Sequence, residues 1–200
     1  MATQTSGTDV ATTKDSALGR NFLSLTRISL GLVLFWAFLD KLFALGFATG
    51  RDGETGVVDY FGPKAWINGG MPTQGFLKST SGEFGGEPGG VYGEMFKGWG
   101  DFSLGTFRPL DWLFMLALGG LGVALIAGIA TKLAAWANAI LYVFLFIAAF
   151  DNTNNPFIDD HIVYALATVG IVYVEIKYQA IGVGKWWRNL ELVKKYNWLV

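Results

Sequence analysis

Five ionisable residues stand where this chain is otherwise almost entirely apolar. Asp40 and Lys41 close one greasy stretch, and Asp159, Asp160 and His161 open another. Ionisable groups at or inside a bilayer are costly and are usually paired, which makes them the first places to look for chemistry. Lys41 and His161 can donate hydrogen bonds to the oxygens of a bound ligand. Asp40 or Asp160 can tune or relay protons, and a histidine titrates near neutrality. Trp36, one helical turn before Asp40, and Tyr164, one turn after Asp160, can stack on a ring. The same residues have a purely structural reading. Lys41 snorkels to the interface, Asp159 caps a helix, His161 is satisfied at a helix start, and the two aromatics belong to a membrane belt or core.

The elements that must position these groups are four apolar runs, Phe22–Ala48, Leu110–Ala130, Leu133–Phe150 and Ile162–Ile176. A helix needs ~20 mostly apolar residues to cross a hydrocarbon core of ~30 Å. In that medium every backbone polar group must be satisfied internally, so the runs are expected to be helices. The expected fold class is an all-α membrane protein. Its parts are a four-helix transmembrane bundle over 21–178, a long ordered extracytoplasmic loop between helices one and two (cap 49–109), a flexible tail over 1–20 and an amphipathic interfacial helix over 179–200. In span one, Arg27, Gly31, Leu34, Phe38 and Lys41 alternate steps of four and three and form one stripe. Arg27 and Lys41 are then ~21 Å apart. Span two carries Gly119, Gly120, Gly122, Ala124 and Gly128, small residues that let helix backbones approach closely in lipid.

Charge placement sets an orientation. Lys14, Arg20, Arg27, Lys132, Lys177, Lys185, Arg188, Lys194 and Lys195 collect on one side, while the Asp151–Asp160 connection has acids and no Lys or Arg. The positive-inside rule puts both termini in the cytoplasm and the long insertion outside. Arg27 then reads as an anchor or lipid-headgroup contact, with Glu175 as the nearest inner counter-charge for an ion pair. Asn138 reads as an interhelical hydrogen bond, and Trp186, Trp187, Tyr196 and Trp198 as interfacial anchors. The insertion from Thr49 to Pro109 holds sixteen of the 27 glycines, as a flexible linker would. Its ten aromatics, Phe84 among them, argue for an ordered cap, with short helical pieces near Gly62–Asn68 and Gly90–Trp99.

Composition excludes several chemistries. With no cysteine among 200 residues, disulfides, thiolate metal sites and iron–sulfur clusters are out. One histidine excludes a bis-histidine haem within a single chain. A net charge of -1 gives no case for nucleic acid,. No inverted repeat and no interrupted, charge-bearing helix pair points to a transporter.

Four segments carry a family resemblance. The run Arg27-Ile-Ser-Leu-Gly31 through Phe35-Trp-Ala-Phe-Leu-Asp40-Lys41-Leu42-Phe43, the loop Asn68-Gly-Gly-Met-Pro72-Thr-Gln-Gly75-Phe76-Leu77, and Asp111-Trp-Leu-Phe-Met with Asn155-Pro-Phe-Ile-Asp-Asp-His161 resemble the DoxX/DoxD membrane family over about residues 22–178. That resemblance implies a bacterial or archaeal cell membrane. It also implies a subunit of a quinone-linked oxidoreductase of the thiosulfate:quinone type, with quinone as electron acceptor and a second protein subunit or respiratory complex as partner. Under it, Lys41, Asp40, Asp160 and His161 form a quinone-head site at the outer leaflet, with Trp36 and Tyr164 on the ring. Arg51, Lys64 and Arg108 become substrate ligands, because a dianion needs cationic donors. Against anion steering, the insertion carries seven acids to five bases,. The competing reading is a noncatalytic membrane accessory or anchor subunit that docks a redox enzyme or respiratory complex. No haem, metal or iron–sulfur cluster is expected in this chain alone.

Overall fold

The computed structural model describes residues 7–80, 92–150 and 157–200. Phe84, Asp151, Asn155 and Pro156 lie outside the described residues. Among those described, the chain is helical, with two isolated β-bridges and no strand. Four long helices dominate: α1 (Gly7–Phe43), α4 (Pro109–Ala127), α5 (Thr131–Ala148) and α6 (Asp160–Glu175). Between α1 and α4 stand α2 (Pro72–Thr80) and α3 (Gly93–Asp101), and after α6 come α7 (Gly184–Arg188) and α8 (Glu191–Lys195). Three of the helices, α1 from Ser16 onward, α4 and α5, are long and apolar enough to cross a membrane. This is a membrane protein. At 16 residues, α6 measures ~24 Å and falls below that length.

The long helices pack in a ring, α1 on α4, α4 on α5, α5 on α6 and α6 on α1. Leu34, Leu118, Leu125, Ala135, Tyr142 and Val172 fill its centre. Outward faces stay apolar: Leu32 and Val33, Leu113 and Leu116, Ile140 and Val143, and Val163 and Leu166 are all exposed. A surface of that kind belongs against lipid rather than water.

The α1–α4 seam is closed by glycine. A Cβ added at Gly31 would lie 2.9 Å from the Gly122 carbonyl oxygen and 2.9 Å from Ile126 N, and one at Gly122 would lie 2.8 Å from Phe35 N. Backbone atoms cannot retreat as a side chain can. Gly31→Ala is therefore expected to destabilise by about 1–3 kcal/mol through overpacking. Gly120→Ala, where a Cβ would meet nothing within 4 Å, should stay within about 0.5 kcal/mol. Unfolding in mixed detergent micelles separates the two.

α1 begins at Gly7, inside the stretch that the sequence assigns to a flexible tail. Its apolar run continues to Ala48, but the helix stops at Phe43 because the chain reverses at Ala44, which has φ 54°. α4 ends at Gly128 in the left-handed region, φ 79°, whose N–H returns to the Ala124 carbonyl, an ordinary glycine stop. The segment after α6 is not one amphipathic helix. It breaks at Leu190, which is extended, into α7, α8 and a final 3₁₀ turn. Trp186, Leu192 and Trp198 remain exposed there, and Val193 is buried.

The insertion packs onto one end of the ring. α2 and α3 lie against each other, and Leu77, Phe96 and Ala148 form a small core with Phe76 and Phe144. Trp99 stacks on Phe144 with centroids 6.0 Å apart, Phe76 lies 6.5 Å from Phe114, and Trp66 meets Trp112 edge-on at 4.9 Å. These aromatic contacts seat the glycine-rich insertion on the ends of α4 and α5.

Candidate functional site

The most heavily built polar cluster lies at the end of the ring away from the cap. Arg27 on α1 and Glu175 on α6 are buried, with Nε 3.2 Å from Oε2. Ser24, one turn before Arg27, donates to Glu175 Oε1 at 2.5 Å. The guanidinium reaches three further carbonyls: Nη1 donates to Leu125 O and, at 3.2 Å, to Ile126 O, and Nη2 donates to Ile181 O at 2.6 Å. Leu125 and Ile126 belong to the last turn of α4, whose carbonyls have no partner within the helix. A cation there also meets the negative end of the helix dipole. Gln179 completes the cluster, donating to Gly128 O at 2.7 Å. One side chain thus ties α1, α4, α6 and the following loop. The headgroup-anchor reading of Arg27 gives way to the ion pair, because a guanidinium with no exposed surface cannot reach a lipid phosphate.

At the cap end, Asp40 is buried and its two oxygens accept from Phe47 N and Ala48 N, both at 3.0 Å. The carboxylate holds the turn that follows α1. Lys41 is half-buried with Nζ 5.9 Å from the centre of the Phe114 ring on α4, a cation–π distance. Trp36 is exposed and meets Phe47 edge-on at 5.0 Å.

His161 belongs to a different wall. Its Nδ1 lies 2.7 Å from Asp159 Oδ2 and 3.6 Å from Asp160 Oδ1. Asp159 also caps α6, accepting from Ile162 N at 3.2 Å. The His161 ring is 6.0 Å from that of Tyr142 on α5, and Tyr142 is 5.5 Å from Tyr164. One ligand atom from each of Asp159, Asp160 and His161 lies within 4.8 Å of the others, an arrangement that helix capping by itself produces.

The sequence-predicted groups stand on two elements at the same end of the ring, Asp40 and Lys41 at the end of α1 and Asp160 and His161 at the start of α6, each pair with its own neighbours. Among the described residues no hydrogen bond or ion pair joins Lys41 to Asp159, Asp160 or His161. Lys41→Ala and His161→Ala should act independently, their effects on unfolding adding within about 0.5 kcal/mol in a double-mutant cycle. A larger coupling would mean a shared site.

The three candidate substrate cations also separate. Arg51 donates to Gly46 O at 2.8 Å and Gly56 O at 2.9 Å, bracing its own loop. Lys64 is exposed and lines a hollow of about 460 Å³ together with Asp52 and Asp59. Hydrogen bonds from the Thr55 amide and hydroxyl hold the Asp52 carboxyl below the usual carboxylate range, so that hollow is a poor place for a dianion. Arg108 is better placed. Its Nε donates to Asp111 Oδ2 at 2.7 Å and Nη2 donates to Gly100 O, and among the described residues Nη1 has no hydrogen-bond partner. With Asp111, Leu42, Trp66 and Trp112 it lines a cleft of about 390 Å³ between cap and ring. Asp111 is buried and also accepts from Thr73 N at 2.8 Å, joining α4 to the start of α2. Beside it, the hydrogen bond from Gln74, helped by nearby Lys78 and Arg108, holds the exposed Asp101 carboxyl below its ordinary value.

Sequence reasoning missed Asp111, Ser24 and Gln179 as structural polar groups. An acid two residues inside a helix start, and a serine one turn from an intramembrane arginine, were the available signals. Compared with protein-family models, curated proteins and solved structures, the chain matches none.

Proposed function

We propose that the protein is a noncatalytic membrane subunit that docks a redox enzyme or respiratory complex through its cap. One observation supports this above others: the ionisable groups on and beside the spans are engaged in holding the fold. Asp40 fixes a turn, Arg27 and Glu175 fasten three helices, Asp111 anchors the cap, and Lys41 and His161 face different helices. The cap meanwhile exposes Tyr60, Phe61, Phe102, Leu104 and Phe107, more aromatic surface than a solvated loop needs. In this reading α6 is the fourth span, shortened by its polar corner, and the cap faces outside.

The test is purification of the chain from its own membranes in mild detergent. The expected result is a stoichiometric partner that is lost when Phe102 and Leu104 are changed to Asp, and no thiosulfate-dependent quinone reduction by the chain alone. Activity of the isolated chain overturns the accessory reading.

A second reading, the quinone-linked oxidoreductase that the sequence resemblance implies, has the cleft in its favour. Trp66, Trp112 and Leu42 offer an apolar slot for a ring, and Nη1 of Arg108, without a partner among the described residues, a donor for its carbonyl oxygen, the mix that small-molecule sites use. A photoreactive quinone is expected to label 66–70 or 106–112. Labelling confined to the outward faces of α4 and α5 would remove this reading.

A further inference from the structure

We infer that the seam between α5 and α6 is a water-binding inlet that opens at the His161 corner and ends at Asn138. Asn138 and Thr168 are both fully enclosed, and Asn138 Nδ2 donates to Thr168 Oγ1 at 2.9 Å. The threonine proton is already given to Tyr164 O at 2.7 Å, so the amide must donate there and its Oδ1 is left as an acceptor without a partner among the described residues. The Tyr142 hydroxyl, on a residue only 4% exposed, has none among the described residues either. Positions 138 and 142 are one turn apart and share a helix face. Two orphaned polar atoms therefore line up along one stripe facing α6.

In hydrocarbon such atoms have no solvent to fall back on. Buried polar groups are satisfied by protein or by ordered water, and a water needs two to four polar partners. The Tyr142 hydroxyl, Asn138 Oδ1 and the neighbouring Tyr164 supply them. The inlet has a mouth and a floor. At one end the Tyr142 ring is 6.0 Å from the ring of His161, whose side chain is 26% exposed. At the other, Ala134, Ala135, Val172 and Leu125 form a dry layer before Glu175 is reached. The ligand is water, and with it a route for protons from the Asp159–His161 pair to mid-helix depth. Neither functional reading above is needed for this.

Hydroxyl radicals generated by X-rays from bound water label the side chains beside it. In the full-length protein in lipid nanodiscs, Tyr142 should be oxidised at least about fivefold faster than Met115, a more reactive side chain with no exposed surface in the same ring,. Asn138→Leu should lower that labelling, and Tyr142→Phe should lower the melting temperature. Tyr142 as inert as Met115 overturns the inlet. So does a higher melting temperature for Tyr142→Phe, the signature of removing a hydroxyl that was dry.

Discussion

Replacing Arg27 with methionine is expected to cost about 3–5 kcal/mol, the range for breaking a buried ion pair by removing one partner. The loss has two parts. Glu175 is left enclosed with only the Ser24 hydroxyl for company. The Leu125, Ile126 and Ile181 carbonyls lose their donor in a region where water does not replace it,. Glu175→Leu should be comparably harmful, because it strands the guanidinium instead. The double variant removes both charges and should cost less than the sum of the singles, with a coupling of about 0.5–3 kcal/mol. Unfolding titrations in dodecylmaltoside with rising dodecylsulfate measure all three. Strict additivity would mean that the two charges do not meet.

Asp111→Ala carries the second-largest expected effect, about 2–3 kcal/mol, but its consequence is local. It removes the acceptor for the buried Thr73 amide and the partner of Arg108 in one step, so the contact between α2 and the ring should loosen before the ring does. Hydrogen exchange is the informative measurement. Amides of Pro72–Thr80 should exchange faster while those of α5 keep their protection. Asp111→Asn, which keeps an acceptor for Thr73 but not the charge facing Arg108, should fall between. Equal acceleration throughout the molecule would show that cap and ring unfold as one unit.

The contrast between these two residues shows what a sequence makes visible here. Arg27 announces itself, because a cation inside an apolar run demands a partner. Even its stripe was legible: Gly31 meets Gly122, Phe38 meets Gly119, Lys41 meets Phe114, and Arg27 reaches the end of α4, so four of the five aligned residues line the α1–α4 seam. Helix boundaries followed the apolar runs to within a few residues wherever a glycine or a capping acid marked the end. Rotation about the other helix axes was not legible. Hydropathy puts Lys41 and His161 at one level but says nothing of azimuth, and they turn to different neighbours. Asp111 was hidden for a related reason. Its partner amide, Thr73, lies 38 residues away in a glycine-rich stretch whose pattern does not predict α2.

The first helix runs on well past the place where Arg27 pins it. Beyond Arg20, whose guanidinium lies 5.4 Å from the centre of the Tyr178 ring, its Gly7–Gly19 portion adds ~20 Å of continuous rod. The rest of the helix is fixed along the α1–α4 seam, so this overhang is a lever arm on the ring. Torque applied to that arm is delivered first where Arg20, Ser24 and Arg27 meet Tyr178 and Glu175 at the end of α6.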